Sequence, residues 1–460
     1  MTHGKLTRED LFGKIDAGEI ETVVLAFPDM YGRLMGKRIA GAFFEEEVAD
    51  HGVHMCDYLL TADMEMDPVP GYEFASWEEG YGDFLCVPDW KTLRVASWLD
   101  RTAVLICDPV GKDGKPVEVA PRNILRRQVE RSLSLGFLPM GAVELEMFIF
   151  DESYRSAHER GYRGLTTSGW YIEDYHIFQG SKWEPLIGAI RRHLEMSGIP
   201  VENSKGEWGP GQHEINIRYA DMMEMADRGV IFKEISREIA YQQGVSVTFM
   251  AKWNEDLAGN GMHIHSSLWD LKGERSLFPG DEKLEGIPAG ISSIFRWYLG
   301  GLLAHTYELS LLFASNVNSY KRYQPGSFAP TGIAWSYDNR TAGYRVVGRG
   351  NSLRIESRIP GADANPYLAL AAIVAAGIDG IENRIEPPPV FRGDVYSAKT
   401  IQHVPRSLSE AIAAFEGSEF ARRTFGEKVV EHYVHFARTE QQKFEKAVTD
   451  WELRRYFERA

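Results

Sequence analysis

The stretch AVELEMFIF, Ala142–Phe150, alternates with the two-residue period of a β-strand, yet it sets Glu144 and Glu146 inside a segment otherwise built for a core. Val143, Leu145, Met147 and Ile149 fall on one face. Glu144, Glu146, Phe148 and Phe150 fall on the other. Two carboxylates side by side on a partly buried face repel each other unless a cation lies between them or water reaches them. Alone, the pair fits an edge strand whose acidic face is wet. The pattern recurs, however, and recurrence is what limits the fold. In MHIHSSLW, His263 and His265 share a face; in SLRIESRIP, Arg354, Glu356 and Arg358 share one, with Ile355, Ser357 and Ile359 opposite. In GEWGPGQHEINIRY, Glu207 and Glu214 flank a Gly/Pro-rich turn that lets backbone approach a ligand closely. Each stretch taken singly is better explained as a solvated sheet face. Together they fit one cation-rich pocket.

The chemistry of that pocket follows from its donors. Five glutamates (Glu144, Glu146, Glu207, Glu214, Glu356) and one histidine (His263) offer mostly hard oxygen ligands, which suit Mg²⁺ or Mn²⁺ over zinc. Between Arg322 and Arg358 lie six arginines against two acids, Asp338 and Glu356, in a chain whose net charge is −15. Such a local inversion suggests a bound phosphate or carboxylate. Carboxylate-held divalent metals beside an arginine cluster are the parts needed for phosphoryl transfer. The overall acidity argues against nucleic acid or a membrane surface as partner.

At 460 residues, two or three domains are expected. Residues 1–110 read as a small β-rich domain that opens with an amphipathic helix ending near Gly18. TVVLAFPDMYGRLMGKRI then forms two strands about a turn at Pro28–Gly32, and short strands follow near Leu85 and Val104. Residues 111–460 read as a large α+β catalytic domain. Its strands are AVELEMFIF, GQHEINIRY, SVTFMAK, MHIHSSLW, RVVG and SLRIESRIP, with helices over 182–197, 222–243, 287–313, 366–384 and 407–458. The apolar run YLALAAIVAAGI is too short to span a bilayer and reads as a buried helix, with Asn365 as N-cap, Pro366 at its first position and Gly377 near its end. The start lacks a secretory signal pattern, and Cys56, Cys86 and Cys107 show no CxxC spacing, so a reduced, cytoplasmic protein is expected.

At these residues the chain resembles the glutamine synthetase family. VELEMFIF, EWGPGQHEI, GNGMHIHSS, NSYKRYQPG, NRTAGYR and RIESRIPGADANPYLALAA occur in family order along nearly the whole sequence. The resemblance implies a β-grasp N-terminal domain and a catalytic domain whose curved antiparallel sheet, backed by helices, forms half of a barrel. It implies ATP and two or more Mg²⁺ or Mn²⁺ ions per site. Glu146, Glu207 and Glu214 would hold the first metal, beside the amino acid; Glu144, His263 and Glu356 would hold the second, which bridges ATP phosphates. Arg322, Arg358 and Gly259 would bind glutamate, and Arg340 would stabilise the phosphoryl group in flight. Glu202, His265, Ser267, Arg345 and Arg354 would contact ATP. Neighbouring subunits would complete each site in a dodecamer of two hexameric rings. The implied reaction phosphorylates the γ-carboxylate of glutamate, and a nitrogen nucleophile then displaces phosphate.

The departures from the family pattern concern the nucleophile. In KRYQPGSFAP, Phe328 stands where the ammonia-using enzymes place a glutamate over the ammonium. Losing that charge weakens a cage for ammonium, whereas a benzyl group suits an alkylamine and can attract its ammonium through cation–π contact. Ala258 replaces the asparagine expected five residues before His263, and LLTADMEMDP replaces the context of the ammonium-site acid, with Asp63 the candidate. Tyr396 lies near the position that some family members adenylylate, without the surrounding motif. In these respects the chain is similar to γ-glutamyl-amine ligases that use polyamines or ethanolamine. An ordinary ammonium-using glutamine synthetase is the alternative, and a catalytically silent regulatory member is a third reading.

Overall fold

The strands sort into two sheets. In the computed structural model, which describes residues 4–78, 80–324 and 327–460, the first comprises β1 (Thr22–Pro28), β2 (Leu34–Ala40), β3 (Val53–Cys56), β4 (Asp83–Pro88), β5 (Arg94–Val95) and β6 (Thr102–Val110). Its order is β2-β1-β6-β4-β3, with β5 beside β6. β1 and β2 form the expected hairpin, held at its turn by Asp29, which accepts from the backbone N–H of Tyr31 at 3.0 Å and of Arg33 at 2.8 Å. β6 returns parallel to β1 in the middle of the sheet. A hairpin beside a parallel returning strand is the β-grasp arrangement.

The second sheet comprises β7 (Leu138–Phe150), β8 (Val201–Gly206), β9 (Gln212–Ile217), β10 (Ala220–Asp221), β11 (Ser246–Thr248) and β12 (Met262–Trp269). After the separate strand β13 (Pro279–Glu282) come β14 (Trp335–Tyr337), β15 (Tyr344–Val347) and β16 (Arg354–Ser357). The order is β14-β15-β16-β12-β7-β9-β8, antiparallel except for β14 with β15, while β10 and β11 flank β7. Period-two alternation gives the sheet two unlike faces. Val143, Leu145, Met147, Ile149, Ile264 and Ile355 are buried on one. The helices Pro121–Ser134 and Met222–Gln242 pack on β7, and the buried helix Pro366–Glu382 packs on both helices. Burying these branched and long apolar side chains contributes roughly 1.5–3 kcal/mol each. The opposite face carries the charges, and cross-strand register sets them in rows: Glu144 opposite His263, Glu146 opposite Glu214, Glu356 opposite both His265 and Arg345.

Several expected boundaries shift. The span 407–458 is four helices, Leu408–Glu416, Glu419–Phe425, Glu427–Lys446 and Asp450–Tyr456, because Ser418 and Thr449 cap new starts and Gly426 turns the chain at φ 95°. The span 287–313 begins only at Ser293, capped by Ser292, and breaks after His305. SVTFMAK is strand only over Ser246–Thr248. β8 and β14 escape the sequence reading, since VENSKG has no apolar residue after Val201 and WSY is short. Gly377 is no stop signal. It lies inside its helix, where a Cβ would sit 2.1 Å from the Tyr298 ring. No helix among the described residues is long and apolar enough to cross a membrane.

Candidate active site

The charged face of the second sheet opens into a cavity of about 620 Å³ whose wall includes Glu144, Glu146, Glu207, Glu214, His263 and Glu356, every carboxylate and imidazole expected to hold metal. Glu146, Glu207 and Glu214 each bring an oxygen within 4.8 Å of the others. Burial, reinforced by Glu207, raises the Glu146 carboxyl; burial, reinforced by Glu144 and Glu207, holds Glu214 well above the carboxylate range. Crowded acids that disfavour their own charge are what a divalent cation relieves, and an all-oxygen set suits Mg²⁺ or Mn²⁺. These residues fit a metal.

The second set also converges, with one change of membership. His263 Nδ1 lies 3.4 Å from Glu144 and 3.7 Å from Glu356. His265 Nε2 lies closer to Glu144, at 2.8 Å, and the trio Glu144, His265 and Glu356 has the spacing to hold an ion, as has Glu144 with Glu214 and His263. His265, expected on the nucleotide side, therefore stands within ligand reach as well. Burial would raise Glu144, but hydrogen bonds from His263 and His265 hold it well below its ordinary value. Glu356 is almost wholly buried; against that burial, Arg358 and the two histidines draw its carboxyl down to about 2.

Arginines line the same cavity. Arg358 donates to Glu356 at 2.6 Å, and its buried Nε has no partner among the described residues, a donor left for a ligand carboxylate. Arg322 donates to the backbone carbonyls of Ile359 and Arg358. Arg345 bridges Glu356 and Asp338. Arg340 is exposed at the wall and has no hydrogen bond or ion pair among the described residues. Gly259 is required where it is, since a Cβ there would lie 2.3 Å from the Ala251 carbonyl oxygen and 2.8 Å from Arg322. Gln212 donates to the Gly259 carbonyl at 3.0 Å and reaches Glu146 at 3.4 Å, fastening the glycine loop to the acidic set.

A second cavity, about 440 Å³, adjoins the first, and Glu144 and Asn216 line both. Glu202, His265, Ser267 and Arg354 lie in its wall, four of the five residues expected at ATP; Arg345 instead faces the first cavity. Tyr219 and Trp269 stack there, 6.2 Å apart and 23° from parallel. A flat aromatic pair beside Arg354 suits a base and its phosphates.

Phe328 lines the first cavity, half exposed, with its ring 5.0 Å from that of Trp208. Ala258 is in the same wall. The structure does not bring Asp63 into this cavity. Its carboxylate is held by Lys443, on the helix Glu427–Lys446, and by the backbone N–H of Asp67. Sequence reasoning missed Trp208, Lys205, Tyr219 and Trp269. Trp208 lay inside the quoted EWGPGQHEI, and its signal was adjacency to Glu207; Tyr219 and Trp269 meet only through tertiary pairing, which no local pattern reports.

The family described as glutamine synthetase, catalytic domain, matches residues 118–456, and the chain belongs to that family. Family members use ATP and divalent metals. The chain is 48% identical to the γ-glutamylethanolamide synthetase GlnA4 of Streptomyces coelicolor, covering 98% of this chain and 96% of the relative. It is 34% identical to a glutamate–isopropylamine ligase of a Pseudomonas species, covering 96% of each. The solved GmaS/ADP complex superposes with a TM-score of 0.84 at 28% identity, covering 97% of this chain and 99% of that one.

Proposed function

We propose that this chain is an ATP-dependent ligase joining the γ-carboxylate of glutamate to a small organic amine, ethanolamine foremost, through γ-glutamyl phosphate. One observation carries the choice of nucleophile: the Phe328 and Trp208 rings form an aromatic lip beside Glu207, where an ammonia-using enzyme would present a second acid. The lip supplies apolar area for a short carbon chain and a π-face for its ammonium. The name of the S. coelicolor relative supports ethanolamine.

In the first step the γ-carboxylate oxygen of glutamate attacks the γ-phosphorus of ATP and ADP leaves. Glu146, Glu207 and Glu214 would hold one divalent ion, Mg²⁺ or Mn²⁺, and Glu144, His263 and Glu356 a second, and these ions would supply charge neutralisation at the transferring group. Arg322 and Arg358 hold the glutamate carboxylates, and the uncommitted Arg340 meets charge as it develops on the phosphoryl oxygens. The amine nitrogen then attacks the acyl carbon, inorganic phosphate leaves, and the amine's proton passes to a base. Asp63 is that base in a neighbouring copy's site. Its absence from its own chain's cavity supports a shared site in a homo-oligomer. Free Cys56, Cys86 and Cys107 support a reducing, cytoplasmic setting.

The test is phosphate release from purified protein with ATP, Mg²⁺ and glutamate, adding ammonium, ethanolamine, putrescine and spermine in turn. Ethanolamine should give the highest kcat/KM. If ammonium does instead, plain glutamine synthesis replaces this reading; no release with any amine would favour a silent regulatory member.

A further inference from the structure

Lys205 is out of place in the acidic set. It lies on β8 directly opposite Glu214 on β9, forms an ion pair with Glu207, and lines the cavity with only 18% of its side chain exposed. Its ammonium therefore neutralises charge in the same trio that has the spacing for an ion. A second anion waits nearby: Asp174 lies 4.0 Å from the Lys205 Nζ, and the Tyr175 ring centroid lies 4.6 Å from it. Asp174 is held in place because the adjacent Glu173, almost wholly buried, sits 2.9 Å from His213 and accepts from the Gly211 N–H at 3.2 Å. An ammonium and a divalent ion repel each other and compete for the Glu207 oxygens, while a lysine stem is long enough to turn its charge over a ring face toward another carboxylate.

We propose that Lys205 is a positioning residue, the resident counter-ion of the first metal site, which a divalent ion displaces from Glu207 toward Asp174. The inference rests on assigning Glu146, Glu207 and Glu214 to a metal. It makes the chain's own lysine the determinant of how tightly that ion binds, and it ties arrival of the ion to the segment carrying Asp174 and Tyr175.

Equilibrium Mn²⁺ binding, read by the electron paramagnetic resonance signal of the free ion, tests it on the full-length protein. Lys205→Met should bind one class of Mn²⁺ about tenfold more tightly than wild type, because a competing positive charge is gone. Lys205→Arg should stay within about twofold of wild type, and Asp174→Asn should bind about threefold more weakly, since the displaced ammonium loses its second partner. In chelator, Lys205→Met should melt below wild type, and Mn²⁺ should raise its Tm by more. Equal Mn²⁺ affinity in wild type and Lys205→Met overturns the proposal. Should Lys205→Met fail to fold, unchanged affinity in Asp174→Asn overturns it instead. If wild type binds Mn²⁺ at neither site, the metal assignment itself falls and this inference with it.

Discussion

Glu356 and Glu144 are proposed ligands of one ion, yet their replacement should fail differently, because one is buried between two arginines and the other is a quarter exposed. Glu356→Ala strands the buried Arg358 without a counter-charge and leaves Arg345 with Asp338 alone, and leaving buried charge unpaired costs on the order of 3–5 kcal/mol. That variant should lose turnover and also melt well below wild type. Glu144→Ala should lose turnover by about 100-fold or more, the loss of several kcal/mol of metal-borne stabilisation, with a smaller fall in Tm. Scanning calorimetry beside steady-state rates separates the two; near-normal rates in either at saturating Mg²⁺ would contradict the site. Phe328 is the residue proposed to select the nucleophile. Its backbone sits at φ 59°, a conformation that bulky residues rarely adopt and that is retained where function holds it. Phe328→Glu should move the ratio of kcat/KM for ammonium over ethanolamine upward by about tenfold, since an added carboxylate attracts ammonium and fills the space for the carbon chain. An unchanged ratio would remove Phe328 from the amine pocket.

At the scale of elements, strands with strict alternation were legible and polar or short ones were not. β7, β9, β12 and β16 could be read because a charged face and an apolar face alternate along each, and they carry the acidic set apart from Glu207, which lies in the turn after β8. β8 has no such contrast, so Glu202 was visible only through family resemblance and Lys205 not at all. The C-terminal helices blurred into one because a 3.6-residue period continues across Gly417 and Gly426, while the caps that divide them are single residues. His432 shows what only packing reveals. It sits buried on the helix Glu427–Lys446, its ring 4.6 Å from Tyr72 and its Nε2 3.1 Å from the Met30 sulfur, and burial, with a small push from His435, lowers it to about 3. Because the folded value lies below the ordinary value of 6.5, the unfolded chain binds a proton between these pH values that the folded chain refuses. This contribution to stability is complete above about pH 6.5 and is lost as pH falls toward 3, at about 1.4 kcal/mol per unit. Urea unfolding at a series of pH values should give a shallower acid decline for His432→Phe than for wild type; parallel curves would contradict a neutral buried imidazole.

At the scale of the whole molecule, one sheet supplies the cavity and the loop between β3 and β4 of the other holds Asp63 away from it, so a complete site is expected to need two copies of the chain. Co-expressing Asp63→Ala with Arg340→Ala tests this, because each variant alone spoils every site while a mixed assembly regains some that hold both wild-type residues. Activity in the mixture well above that of either variant supports sharing; activity no higher than the better variant would contradict it. The bond that this molecule makes can be read directly from its products. Wild-type protein given glutamate, ATP and Mg²⁺ with equal concentrations of ammonium and ethanolamine should yield predominantly γ-glutamylethanolamide by mass spectrometry, with stoichiometric ADP and phosphate. Glutamine as the main product would contradict the account.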